Sequence, residues 1–420
     1  MKPTEFNSKF PKHFLWGAAT SAHQVEGGNY NQWTVWELEN AKVKSAQAEY
    51  QYDDLDSWTQ IEKEAKSPNN YVSGKLANHY RDFEQDFDFL QKMHMNAYRF
   101  SLEWSRIEPE RGRFDPKAIA HYKDYIFELK RRNIEPIMTL FHFTLPVWFA
   151  EMGGFEKRSN IKYFVRYAKK VMGEFGTNVK FIITINEPEL YARQSYYTQE
   201  WPPMQSSAFK FLVVTHNLAR VHCQVAKAIH KMGRQYRVSI AKNTAYYYPG
   251  DNSIVSRISF AVMQYFSDDY IIKKYINNCD FLGVNFYQSN RVFGCRIHNS
   301  ELRQSDVGWY MDPASLEFAL ERLYGKYKKP IIVTENGLAD ATDKNRKWWI
   351  TETIIAMQNA IKNGVKLQGY LHWSLMDNFE WAYGKWPRFG LVQVNYKTGE
   401  RELRPSAQWF GRIIKKIRNI

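Results

Sequence analysis

Cysteine is scarce and long apolar runs are missing. The 420 residues include three cysteines, Cys223, Cys279 and Cys295, an odd and sparse set that argues against a disulfide framework and lacks the C-x-x-C spacing of a metal site. No stretch approaches the roughly 20 uninterrupted apolar residues that a membrane helix needs. The first residues, MKPTEFNSKFPKHFLWG, hold no apolar segment of the signal-peptide kind, and no N-x-S/T sequon occurs. These absences predict a reducing compartment and a cytoplasmic protein. G-x-G-x-x-G after a strand, the P-loop, H-E-x-x-H and G-x-S-x-G are also absent, so neither nucleotide, metal nor other cofactor is expected.

Aromatic residues, by contrast, are plentiful: 14 Trp, 27 Tyr and 27 Phe make up 16% of the chain. They supply a large core or the flat stacking surfaces that sugar sites use. The net charge of +14 raises nucleic acid or an acidic membrane as partners. Its distribution argues otherwise. The basic residues are scattered over 130–132, 227–237, 326–329 and 412–418 beside acidic or apolar neighbours, as on solvated helix faces. Without a recognition motif, neither nucleic acid nor membrane is an expected partner, and no pattern specifies an oligomeric state.

Short β-branched or aromatic runs alternate with amphipathic stretches, the signature of a parallel sheet with crossover helices. Eight runs read as strands: 15–19, 97–102, 136–141, 181–185, 238–241, 281–286, 331–334 and 369–373. Between them, Asp115 with Pro116 caps a helix striped by Ile119, Tyr122, Ile126 and Leu129. Asp312 with Pro313 opens another, and Phe83, Phe87 and Leu90 stripe a third. With no Pro/Gly/Ser linker, the pattern predicts one (β/α)8 barrel domain over residues 1–420 with long βα loops. The polar stretch 40–78 reads as a long loop with at most a short helix.

In such a barrel the chemistry lies at the C-terminal ends of the strands. Those positions carry Gln24, Arg99 with Glu103, His142, Asn186 with Glu187, Asn285 with Tyr287, Glu335 with Asn336, and Trp373 followed by Glu380 and Trp381. FIITINEP and PIIVTENG each end an apolar strand in a carboxylate beside an amide. Alternation sends Asn186 and Glu187 to opposite faces, so both serve one site only if the strand bends or ends there, and Pro188 supplies the stop. The same reasoning applies to Glu335 and Asn336, with Gly337 giving backbone freedom. Two carboxylates across a barrel mouth are the equipment of glycoside hydrolysis. Capping a helix N-terminus would account for one Glu, not for both beside amides.

FLWGAATSAHQVEG, YRFSLEWSRIEP, LFHFTLPVWF, TINEP, FLGVNFY, VTENG and YLHWSLMDNFEWAYG, in this order from about residue 10 to 390, resemble glycoside hydrolase family 1, the β-glucosidase family. The resemblance implies Glu187 as acid/base and Glu335 as nucleophile of a retaining, exo-acting β-glycosidase acting on a β-glycoside or oligosaccharide. It implies that Arg99 and Tyr287 keep the nucleophile ionised and oriented. By the same resemblance Gln24, His142, Asn186 and Asn285 hold sugar hydroxyls, Glu380 and Trp381 the far hydroxyls, Trp373 lies under the ring, and Trp309 walls the leaving-group site. Taken alone, His142 could equally be a core residue, and the motif decides; Trp373 would by itself read as a core tryptophan, but its position at a strand's C-terminal end reverses that.

The chain departs from the family pattern at Phe143, where many members carry Trp, and in 243–280, where a longer insertion is usual. The second difference predicts a lower, more open mouth after strand five. Two alternatives stand: a 6-phospho-β-glycosidase, disfavoured because Glu380 would repel a phosphate, and a non-catalytic sugar-binding module, disfavoured because both carboxylates are present.

Overall fold

A computed structural model describes residues 10–299 and 302–420. Eight parallel strands form the barrel: β1 Leu15–Ala19, β2 Ala97–Ser101, β3 Glu135–Thr139, β4 Phe181–Asn186, β5 Arg237–Pro249, β6 Leu282–Phe293, β7 Ile331–Asn336 and β8 Leu367–Trp373. Each pairs with its sequence neighbour, and β1 closes the ring on β8, with Leu15 opposite Gly369 and Ala19 opposite Trp373. All eight predicted strands are present. Alternation divides the core in two. Ala97, Ile137, Ile183, Ala241, Ile332 and Leu371 fill the barrel interior. Tyr98, Met138, Ile182, Ile240, Val284 and Val333 face the surrounding helices.

Asp115 caps Pro116–Arg131 as the sequence predicts, accepting from the amide of Lys117 at 2.7 Å. Asp312 and Pro313 open the next helical stretch as the sequence predicts, although the Asp312 side chain makes no cap bond. Its carboxylate takes the hydroxyls of Ser289 and Ser315, and a short 3-10 turn, Pro313–Ser315, precedes the helix Leu316–Tyr327.

Residues 40–78 are the main correction. They lie largely in helices, Gln32–Tyr52 and Trp58–Ala65. The first begins with a capping box in which Asn31 and Thr34 satisfy each other's amides. Its buried stripe includes Ala41, Ser45 and Ala48, residues too small and polar to stand out as apolar periodicity. Beyond it Asn70, buried, donates to the carbonyl of Tyr383 at 2.9 Å and accepts from the amides of Lys385 and Trp386 at 2.8 and 3.0 Å. The first βα loop thereby clamps the last one.

Strands five and six run further than the sequence predicts. β5 and β6 continue past the barrel rim as a paired ribbon, Tyr246 opposite Ser289 and Pro249 opposite Val292. The ribbon leads into the helix Ile254–Gln264, a π-turn Tyr265–Asp269 and the helix Tyr270–Tyr275.

Candidate active site

Glu187 reaches the barrel mouth through its backbone. β4 ends at Asn186, its register with β5 shifts between Ile183 and Asn186, and Glu187 takes a left-handed conformation (φ 41°, ψ 62°) before Pro188 starts the next helix. The change of hand turns Glu187 to the side Asn186 already faces, as a strand stop there requires. For a non-glycine residue this conformation is uncommon and mildly strained.

At the end of β7 the paired reading fails. Glu335 points into the mouth, but Asn336 obeys strand alternation and points outward. Its amide donates to the carbonyl of Phe286 at 2.7 Å, and its oxygen accepts from Trp349, Thr353 and Tyr370. Gly337 is needed for a close approach, since a Cβ there would stand 1.7 Å from the carbonyl oxygen of Trp373. Glu103 likewise stays out of the mouth, capping a short helix through Ser105.

Below the mouth the polar side chains form one network. Arg99, fully buried, donates to Glu335 Oε1 at 2.5 Å and to Asn186 Oδ1 at 2.7 Å. Tyr287 donates to Glu335 Oε2 at 2.8 Å. Asn285 donates to Glu187 Oε1 at 2.7 Å and to Asn186 Oδ1 at 3.1 Å, its own oxygen fixed by Thr334 at 2.7 Å. Because Asn186 Oδ1 accepts twice, its amide nitrogen must face His142 Nε2, 3.1 Å away. Burial, helped by the Arg99 charge, lowers the His142 pKa well below the usual value, so the ring is neutral.

The two carboxylates sit in unlike settings. Burial pushes both upward. Glu335 is pulled back by the Arg99 guanidinium and the Tyr287 phenol. Glu187 is raised further by the Glu335 charge, and its hydrogen-bond donors are the neutral amides of Asn285 and, at 3.4 Å, Asn243. Of the pair, Glu335 therefore ionises first and Glu187 keeps the proton.

His142, Asn186, Glu187, Tyr287, Trp309, Glu335, Trp373, Glu380 and Trp381 all line one cavity of about 260 Å3. Gln24, Arg99 and Asn285 sit in the layer beneath. Gln24 donates to the Phe379 carbonyl at 2.8 Å and approaches Glu380 Oε2 at 3.4 Å. Trp373 stacks against His142 with ring centres 5.8 Å apart, and Trp309 meets Tyr287 edge-on at 5.3 Å. Phe143 packs on Trp201 and Trp381 at 4.8 and 5.3 Å. Sequence reasoning missed Asn243, Arg193, Gln194 and Glu200, which also line the cavity. Asn243 could have been found by inspecting the end of strand five as the other strand ends were. Among the described residues, none of 245–280 contributes to the lining, and that sector is walled by Asn243, Thr244 and Gln288.

Glu380 offers a test of these electrostatics. Burial, then the Glu335 charge, lifts its pKa from 4.5 to about 8. A carboxyl raised on folding leaves stability intact below its unfolded pKa and erodes it as pH rises toward the folded one. Glu380→Gln should thus raise Tm by at least about 2 °C at pH 9 and leave it nearly unchanged at pH 4. Equal shifts at both pH values in a thermal melt would refute the raised pKa.

Nearly the whole chain matches the sequence model of glycosyl hydrolase family 1, over residues 6–278 and 263–418. The chain belongs to that family. Beta-glucosidase A of Acetivibrio thermocellus is 29% identical over 97% of this chain and 98% of its own. A 6-phospho-beta-galactosidase of Clostridium acetobutylicum is 28% identical over 97% of each chain. Among solved structures, a beta-glycosidase from Pyrococcus horikoshii superposes with a TM-score of 0.85 at 32% identity, covering 97% of this chain and 95% of that one. Family 1 enzymes are retaining β-glycosidases, so this chain is a glycoside hydrolase of the β-glucosidase type on a (β/α)8 barrel. Among the described residues, no helix of this family 1 glycosidase is long and apolar enough to cross a membrane.

Proposed function

We propose that the enzyme releases a terminal β-linked glucose, and also galactose or fucose, from small glycosides and oligosaccharides, as one cytoplasmic catalytic domain that needs no cofactor. The observation that carries this reading is the pair of buried carboxylates in unlike settings, Glu335 bonded by Arg99 and Tyr287 and Glu187 by neutral amides.

In the first step Glu335 attacks the anomeric carbon while Glu187 gives its proton to the departing glycosidic oxygen, leaving a glycosyl ester on Glu335. Esterification removes the Glu335 charge, which is one of the causes that hold Glu187 protonated. Glu187 is then the better base. It takes a proton from water as the water oxygen attacks the anomeric carbon, freeing Glu335 and the sugar. Gln24, His142, Asn186, Asn285 and Glu380 bind sugar hydroxyls, with Trp373 beneath the ring and Trp381 beside it. Trp309 borders the leaving group, and the thin wall at Asn243, Thr244 and Gln288 leaves room for bulky ones.

Phosphorylated sugars fit poorly. Among the described residues that line the cavity, Arg193 is the one cation, too little to neutralise a phosphate dianion, which would also have to sit near the ionised Glu335. With p-nitrophenyl glycosides the β-glucoside should be cleaved, and the 6-phospho-β-glucoside at least about tenfold less efficiently by kcat/KM. A preference for the phosphorylated sugar, or no turnover of any β-glycoside, would overturn the assignment.

A further inference from the structure

The helix Ile254–Gln264 is mounted inside out. Its buried residues are polar, Ser256 and Gln264. The Ser256 hydroxyl accepts from the Gly294 amide at 2.7 Å. The Gln264 side chain bonds the Ala245 carbonyl and the Tyr247 amide at 3.1 and 2.9 Å, and Asp268 at 2.8 Å. These polar ties pin the helix to the β5–β6 ribbon, and the apolar side is left facing water. Ile254, Ile258, Val262 and Phe266, at steps of four, are 75, 60, 49 and 63% exposed, flanked by Val255 at 53% and Tyr265 at 37%.

Such a surface is unusual on a lone molecule. From their exposed fractions these six side chains present roughly 700 Å2, above the ~300–600 Å2 typical of the largest apolar patch on a monomer and close to the ~800 Å2 per partner of a standard interface. None of the six lines the sugar cavity, so substrate binding does not cover them.

We propose that this face docks a second copy of the chain in a twofold-symmetric dimer. A twofold interface sets each patch against its own image, which requires an apolar centre without net charge. Over residues 251–266 the exposed charges are Asp251 and Arg257, one of each sign. The acids that follow, Asp268 and Asp269, are turned inward into ion pairs with Lys242, Arg322 and Lys326. Lys273 and Lys274 lie over the rings of Tyr265 and Tyr270 at 4.9 and 4.5 Å. A lipid surface would use the basic groups at the edge of this face, Arg257, Lys273 and Lys274, whereas the apolar centre itself carries no charge, as a self-complementary contact needs. The four-step ridge is also the shape that packs against its own copy, ridge into groove, at a crossing angle of about −50°.

Sedimentation velocity on the full chain tests this. A dimer should form with a dissociation constant in the micromolar range or tighter, and Ile258→Asp with Phe266→Asp should weaken it at least about 100-fold. Val262→Lys is an independent second variant; all three positions are exposed, so neither change buries a charge. Turnover of a soluble nitrophenyl glycoside should stay within about twofold, which also reports that the variants are folded. A wild-type chain still monomeric at about 100 μM, or a dimer that survives both variants, overturns the proposal. So does a monomer that pellets with phosphatidylglycerol vesicles through the same residues, which would make a lipid surface the occupant.

Discussion

Glu335→Ala should lower kcat/KM for a nitrophenyl β-glucoside by at least about 10^4-fold, because it removes the atom that forms the covalent intermediate. The loss should be chemical. Arg99 would still donate to Thr139 Oγ1, the Thr334 carbonyl and Asn186 Oδ1, so the guanidinium keeps partners and the circular-dichroism spectrum should match that of the wild type. Formate, small enough to enter the space the carboxylate leaves, should restore turnover of an activated glycoside by supplying the missing nucleophile. With the wild type, the sugar first seen by NMR should be the β anomer, since two displacements at one carbon restore its configuration. A variant retaining a tenth of wild-type activity, or an α anomer released first, would refute the nucleophile.

The second large effect is selective. Glu187→Gln keeps an oxygen to accept from Asn285 but has no proton to give. Substrates with basic leaving groups should slow by about 10^3-fold or more, and those with strongly acidic phenols far less in the glycosylation step. The wild-type pH profile should be bell-shaped, with Glu335 setting the acid limb and Glu187 the alkaline one, the order that Arg99, Tyr287 and the Glu335 charge impose. The variant should lose the alkaline limb. Uniform slowing across leaving groups would exclude Glu187 as the acid.

The catalytic strands were readable because each is an apolar run ending abruptly in polar residues, a contrast that survives in sequence as it does at the rim of the barrel. What was not readable has identifiable causes. From Ala41 to Ala48 the helix Gln32–Tyr52 buries alanine and serine, with the large buried rings Trp33, Trp36 and Tyr52 only at its ends, so the middle of its stripe is one of size and not of hydropathy. Asn336 cannot be told from Asn186 by its neighbours. Asn186 faces the mouth by strand alternation and the left-handed turn brings Glu187 to the same side, whereas at β7 Glu335 takes the inward position and, without such a turn, Asn336 faces the helices. β5 looked short because Lys242 and Asn243 interrupt its apolar run, yet Lys242 is buried in ion pairs with Glu189 and Asp268 and the strand passes through them. The outward face of Ile254–Gln264 escaped notice because periodicity reports an apolar side without saying which way it points.

The closure of β1 on β8 bears on how the protein is made. Leu15 lies opposite Gly369, and Gln24 contacts Phe379 and Glu380, so the first strand, paired with β2 on one edge, waits for almost the whole sequence to be synthesised before its other edge meets β8. At roughly 5–20 residues per second that wait lasts about 20–70 s. During it a nascent chain holding β1 to β7 has two unpaired strand edges, one on β1 and one on β7, each able to recruit a neighbour. The sugar site does not exist in that interval, because Trp373, Glu380 and Trp381 arrive last. Ribosome-bound chains are therefore catalytically silent until the C-terminal residues emerge, and the yield of enzyme depends on how well those two edges are shielded until the ring can shut.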